Sequence, residues 1–179
     1  MQDLIILPEI PKNPSQGVLL DRAFLLAHPA HFIALGFGSG LARKAPGTFG
    51  TLAALPLYGL LAYLLSPGLI VALCLPAFIL GVWAAQKTCH DLGAHDHGGV
   101  VIDEIVAMWL VLAAVPVTLL GWVVAFALFR FFDILKPWPI NWLDERIPGG
   151  LGVMLDDLLA AFYSIACIFL LNQFIPTWI

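Results

Sequence analysis

Three stretches of this chain carry no charged residue: 45–86, 105–129 and 158–179, which hold 42, 25 and 22 residues. Roughly 20 consecutive apolar residues cross a bilayer as a helix. The first stretch therefore has the length for two crossings, with Ser66, Pro67 and Gly68 as a turn between them, and the third has the length for one. The middle stretch admits one tilted crossing or two short helices broken at Pro116 and Gly121. Loop charge separates the two. A single crossing puts Arg130, Lys136 and Arg146 on the face opposite Lys87, against the tendency of basic residues to stay cytoplasmic. A hairpin keeps all 20 charged residues on one side.

The expected fold is therefore all-α: a polytopic helical membrane protein with about five membrane-embedded helices, near 51–65, 69–86, 100–115, 121–136 and 156–173. An N-terminal cytoplasmic arm, 1–30, precedes a single helical membrane domain, 31–179. The uncharged turns and the tail "NQFIPTWI" face outward. Composition agrees, with 61% hydrophobic and 11% charged residues, well outside the range of soluble domains. The net charge of -4 and the scattered basic residues leave nucleic acid without an electrostatic footprint. Nothing in the pattern calls for an obligate protein partner. The three cysteines lack the spacing of a zinc site or disulfide framework and read as small packing residues.

Four polar clusters fall on the charged side. In "GLARKAPGTFGTLAALP", Gly47, Thr48, Gly50 and Thr51 precede an apolar helix. Glycines let backbone amides approach a ligand, Thr51 is a good N-cap, and helix N-termini attract anions. In "HDLGAHDHGGVVIDE", His95, Asp96, His97, Asp103 and Glu104 are residue types that ligate metals or move protons. Asp103 and Glu104 lead straight into the uncharged middle stretch. In "FRFFDILKPWP", Arg130, Asp133 and Lys136 recur every three residues along one side of a helix, either as an ion-pair ladder or as a metal ligand between two cations. In "GGLGVMLDDLLAAF", Asp156 and Asp157 open the last helix, as a capping pair or as further ligands.

Acids from separate helices gathered in low dielectric repel one another and protonate unless a cation sits among them. Oxygen-only ligands favour a hard divalent ion, and Mg²⁺ is the usual choice where a phosphate is also held. The pattern points to metal-assisted phosphoryl chemistry at a membrane surface.

In this order and spacing, "GFGSGLARKAPGTFGTLAALP", "HDHGGVVIDEIVAMW", "FRFFDILKPWPINWLD" and "GGLGVMLDDLLAA" resemble the phosphatidylglycerophosphatase A family, from about Gly36 to Ala161. The resemblance implies a Mg²⁺-dependent phosphatase of the bacterial inner membrane, multi-pass, with its active site on the cytoplasmic side. It would convert phosphatidylglycerophosphate to phosphatidylglycerol. On that reading Asp103, Glu104, Asp133, Asp156 and Asp157 hold one or two Mg²⁺ ions, and Arg130 and Lys136, with amides around Thr48, bind phosphate. A carboxylate or His97 is the base. Arg43 and Lys44 stand where members of the family often have Ser-Pro, which assigns them to lipid headgroups rather than chemistry. The D-G-x2-A-R signature of CDP-alcohol phosphotransferases is missing, and a small ion transporter would need polar groups through the full depth of its spans.

Overall fold

The computed structural model describes residues 20–94 and 96–174. The first 19 residues of the expected arm, His95 and the end of the tail lie outside them. Among the described residues there is no strand. The helices are α1 (Arg22–Ala27), α2 (Pro29–Ala34), α3 (Pro46–Leu64), α4 (Pro67–Leu92), α5 (Ile102–Ala113), α6 (Leu119–Leu135), α7 (Ile140–Arg146) and α8 (Gly149–Phe174), with a tight 3-10 stretch at Gly36–Leu41.

The five long helices fall where the charge-free stretches place them. Three of them, α3, α4 and α8, are long and apolar enough to cross a membrane. With 17 and 12 residues, α6 and α5 reach only about 25 Å and 18 Å at 1.5 Å per residue. The turns at Ser66 and at Pro116–Thr118 lie at one end of the bundle. The charged side chains described lie toward the other.

Two expected boundaries are corrected. Thr51 does not cap α3, because Pro46 starts the helix at its first position, where a missing N–H costs nothing. The Thr51 hydroxyl instead donates to the Gly47 carbonyl at 2.9 Å. Asp156 and Asp157 do not open the last helix either: α8 begins at Gly149, so both acids stand two turns inside it.

Helix α5 is the axis of the bundle. Nine of its twelve residues are buried, and it packs on α3, α4, α6 and α8. Its facing stripe, Ile105, Met108, Val111 and Leu112, is wholly enclosed. The outer surface is apolar too, with Tyr63, Leu75, Leu119 and Phe169 more than half exposed. On a water-soluble protein such patches mark unsatisfied surface; on a bundle of charge-free helices they face lipid.

The start of α5 is fixed from the N-terminal side. Val101 N–H donates to the Ala34 carbonyl at 2.8 Å, and a Cβ on Gly40 would stand 2.0 Å from the Gly99 carbonyl oxygen, so two backbones meet where only glycine fits. Within the expected arm, α1 is already docked. His31 stacks on Phe24, shares a hydrogen bond with its carbonyl at 2.9 Å, and reaches Asp91 on α4 at 2.7 Å.

Candidate active site

Asp103 and Glu104 occupy the first turn of α5, where the helix dipole favours negative charge. Yet they are 8% and 9% exposed, so they are not a solvated helix start. Asp157 comes to them from the middle of α8, itself 3% exposed. One oxygen from each of the three lies within 4.8 Å of the others. Asp103 Oδ1, Glu104 Oε2 and Asp157 Oδ2 are buried without a hydrogen-bond partner. Leaving a buried polar atom unpaired costs about 1–3 kcal/mol, and here the atoms also repel one another. A hard cation removes both penalties, and an oxygen-only donor set suits one.

The other two acids expected in the cluster are each held by a base. Asp133 forms an ion pair with Arg130 Nη1 one turn earlier on α6 and neighbours both Glu104 and Asp157. Asp156 accepts from Lys136 Nζ at 2.6 Å and, through its other oxygen, from the Asp157 amide at 2.9 Å. Asp133 and Asp156 thus adjoin the trio of Asp103, Glu104 and Asp157, each already in a short contact with a base.

Arg130 extends across to α5 and α3. Its Nη1 stands 3.8 Å from Glu104 Oε1 and 3.4 Å from Thr51 Oγ1, while its Nε is buried and unpartnered. Lys136 is placed differently. It terminates α6 in the left-handed conformation (φ 42°, ψ 58°), and its ammonium is shared between Asp156 and Asp144, the latter at 2.9 Å. Of the two readings of Arg130, Asp133 and Lys136, the ion-pair ladder stops at Asp133: Lys136 lies past the end of the helix and pairs with Asp144 and Asp156.

The glycine-rich turn enters the site as backbone. A Cβ on Gly47 would lie 2.2 Å from Glu104 Oε1 and 3.2 Å from Arg130 Nη1, so the second residue of α3 rests directly on the acid and the base. The Thr48 amide is already donated to the Ala45 carbonyl at 2.9 Å, while the Gly47 amide, in the first turn of α3, has no intrahelical acceptor. His97 is turned to local work: its Nδ1 accepts from the Gly99 amide at 3.1 Å, and it is not among the residues gathered into the acidic cluster.

Gly47, Thr51 and Asp144 are the site residues that the spacing of charges does not reveal. Thr51 was legible only as a cap. Its place one turn after Gly47 is the signal that both face the same way.

A family model described as Phosphatidylglycerophosphatase A matches residues 32–172. A protein of that name from Haemophilus influenzae is 48% identical over 145 residues, 80% of this chain and 89% of the relative. One of the same name from Escherichia coli is 40% identical over 153 residues, 84% of this chain and 88% of the relative. A Bacteroides thetaiotaomicron protein described as "Putative phosphatidylinositol-3-phosphatase" is 42% identical over 139 residues, 74% of this chain and 86% of the relative. No solved structure matches the chain.

Proposed function

This chain belongs to the phosphatidylglycerophosphatase A family, and on that premise we propose that it removes the terminal phosphate of phosphatidylglycerophosphate to yield phosphatidylglycerol for phospholipid synthesis. The reaction depends on Mg²⁺ and takes place at the cytoplasmic face of a bacterial inner membrane. The observation that carries this reading is the trio Asp103, Glu104 and Asp157, each with a buried oxygen lacking a partner, set beside the Arg130 guanidinium, which joins α3, α5 and α6.

Asp103, Glu104 and Asp157 are the residues that would hold the metal, with Asp133 and Asp156 adjoining. Bound there, Mg²⁺ supplies charge neutralisation for the phosphoryl oxygens and acidifies water. Arg130 presents a fixed cation to the equatorial oxygens, where charge accumulates as the phosphoryl group transfers. The Gly47 amide, free of an intrahelical acceptor in the first turn of α3, would be a further donor for the phosphate.

In the hydrolysis, water attacks phosphorus and gives up a proton, the ester P–O bond breaks, and that proton is passed on to the departing glycerol oxygen. A carboxylate of the cluster takes the proton of the attacking water, since His97 is committed to the Gly99 amide. Lys136 acts one step removed: held by Asp144 and Asp156, it fixes Asp156 and with it the turn of α8 that carries Asp157.

The test is phosphate release by the purified protein from phosphatidylglycerophosphate, phosphatidic acid and phosphatidylinositol 3-phosphate, each with Mg²⁺ and with chelator. Release that favours phosphatidylglycerophosphate and stops on chelation supports the reading. Equal rates on all three lipids would overturn the headgroup assignment, and activity that survives chelation would overturn the metal.

A further inference from the structure

A lipid phosphatase has to bring a charged headgroup to its site while the acyl chains stay in the leaflet, because each methylene drawn into water is unfavourable. The route taken by the chains is therefore a property of the apolar surface that adjoins the phosphate donors. Between α3 and α6 runs a groove of ≈ 270 Å³ lined by Leu52, Leu55, Trp122, Val123, Phe126 and Ala127. Leu52 and Val123 are about half exposed on its flanks.

Helical register ties this groove to the site. Arg130 stands one turn beyond Phe126 and Ala127, and Thr51 stands one turn before Leu55. The two polar residues touch, Arg130 Nη1 to Thr51 Oγ1 at 3.4 Å, and so close the head of the groove across both helices. A second cavity of ≈ 290 Å³ lies between α4, α5 and α8, lined among others by Cys74, Phe78, Val106 and Leu155. The site residues nearest to it in sequence are the acids Glu104, Asp156 and Asp157, whose carboxylates accept hydrogen bonds and donate none to a phosphate, whereas the α3–α6 groove ends at Arg130.

We propose that the α3–α6 groove receives one acyl chain of the lipid substrate, with Arg130 and Thr51 at its head engaging the phosphate end. Leu52, Val123 and Ala127 then decide which chains the enzyme accepts. The inference rests on the lipid phosphatase function proposed above and assigns the part of the substrate that this function leaves open.

Ala127→Phe and Val123→Trp fill the groove while leaving the acids and Arg130 unsubstituted, and Leu75→Phe, in the second cavity, serves as the comparison. Phosphate release is measured on the full chain in detergent with dioleoyl and with dihexanoyl phosphatidylglycerophosphate. Because each displaced methylene weakens binding, the groove variants should raise KM for the dioleoyl lipid about tenfold and leave kcat/KM for the dihexanoyl lipid within about twofold, with Leu75→Phe within about twofold on both. Equal loss on both lipids, or no loss on either, overturns the proposal. In parallel, unsubstituted protein is irradiated with a phosphatidylglycerophosphate bearing a photoreactive group midway along one chain. Adducts on the α3 and α6 peptides support the groove; adducts confined to α4 and α8 overturn it, whether or not the variants fold. A protein that gives α3 and α6 adducts but releases no phosphate from either lipid would refute the catalytic function and leave the chain's seat intact.

Discussion

The ammonium of Lys136 lies 2.6 Å from Asp156 Oδ2, and this contact joins the end of α6 to the middle of α8. The same lysine, read from the sequence as a phosphate ligand, is held by Asp144 as well. Lys136 and Asp156 are 28% and 8% exposed, so removing the base should cost on the order of 2 kcal/mol, less than the 3–5 kcal/mol of a fully buried pair. Lys136→Ala should therefore unfold at lower temperature in detergent. If its melting is unchanged while KM for the lipid rises, the lysine is a phosphate ligand after all.

Asp103→Asn, Glu104→Gln and Asp157→Asn should each lower phosphate release on the order of 10²–10³-fold, as loss of one preorganised electrostatic group does elsewhere. They should not lower stability in chelator, because each removes a like charge from a crowded buried site. Added Mg²⁺ should raise the melting temperature of the unsubstituted chain by mass action and do so less for the variants. A melting temperature indifferent to Mg²⁺ in the unsubstituted chain would mean that the acids hold no such ion.

Gly47→Ala should abolish most activity, since the added methyl would stand 2.2 Å from Glu104 Oε1 and push acid and base apart. Gly68→Ala makes the informative contrast. Nothing lies within 4 Å of its Cβ position, and turnover should be unchanged with stability equal or up to about 1 kcal/mol higher. Similar losses in both variants would show that glycine matters here for folding rather than for the approach to Glu104.

His97→Ala tests the choice of base. Its ring is bound to the Gly99 amide, so the substitution should lower kcat less than about tenfold, below the 10²–10⁴-fold ascribed to a general base. A kcat reduced a thousandfold, with the alkaline or acid limb of the rate profile lost, would return the histidine to the chemistry.

Much of the bundle was legible because the absence of charge over tens of residues has one economical physical meaning. The ends of the helices were not. Charge stops where hydrocarbon begins, whereas α8 starts seven residues before Asp156, at glycines that resemble a loop. Gly150 is needed there because α4 lies against it: a Cβ would stand 2.2 Å from the Val82 carbonyl oxygen. The acids of the candidate site stand out by their adjacency to uncharged runs, but which of them pair with a base does not. Which of Asp133, Asp156 and Asp157 is claimed by a base depends on where α6 ends and how Lys136 turns, and both are decided by tertiary packing.

The confinement of ionised side chains to one end of the bundle also bears on how the protein is made. The turns joining α3 to α4 and α5 to α6 carry no ionisable group. The α3–α4 pair, both helices long and apolar enough to cross a membrane, can enter the bilayer as a closed hairpin with no ion to drag through hydrocarbon at roughly 2.5–3.5 kcal/mol apiece on the insertion scale. A single lysine placed in its turn would burden biogenesis before it touched catalysis.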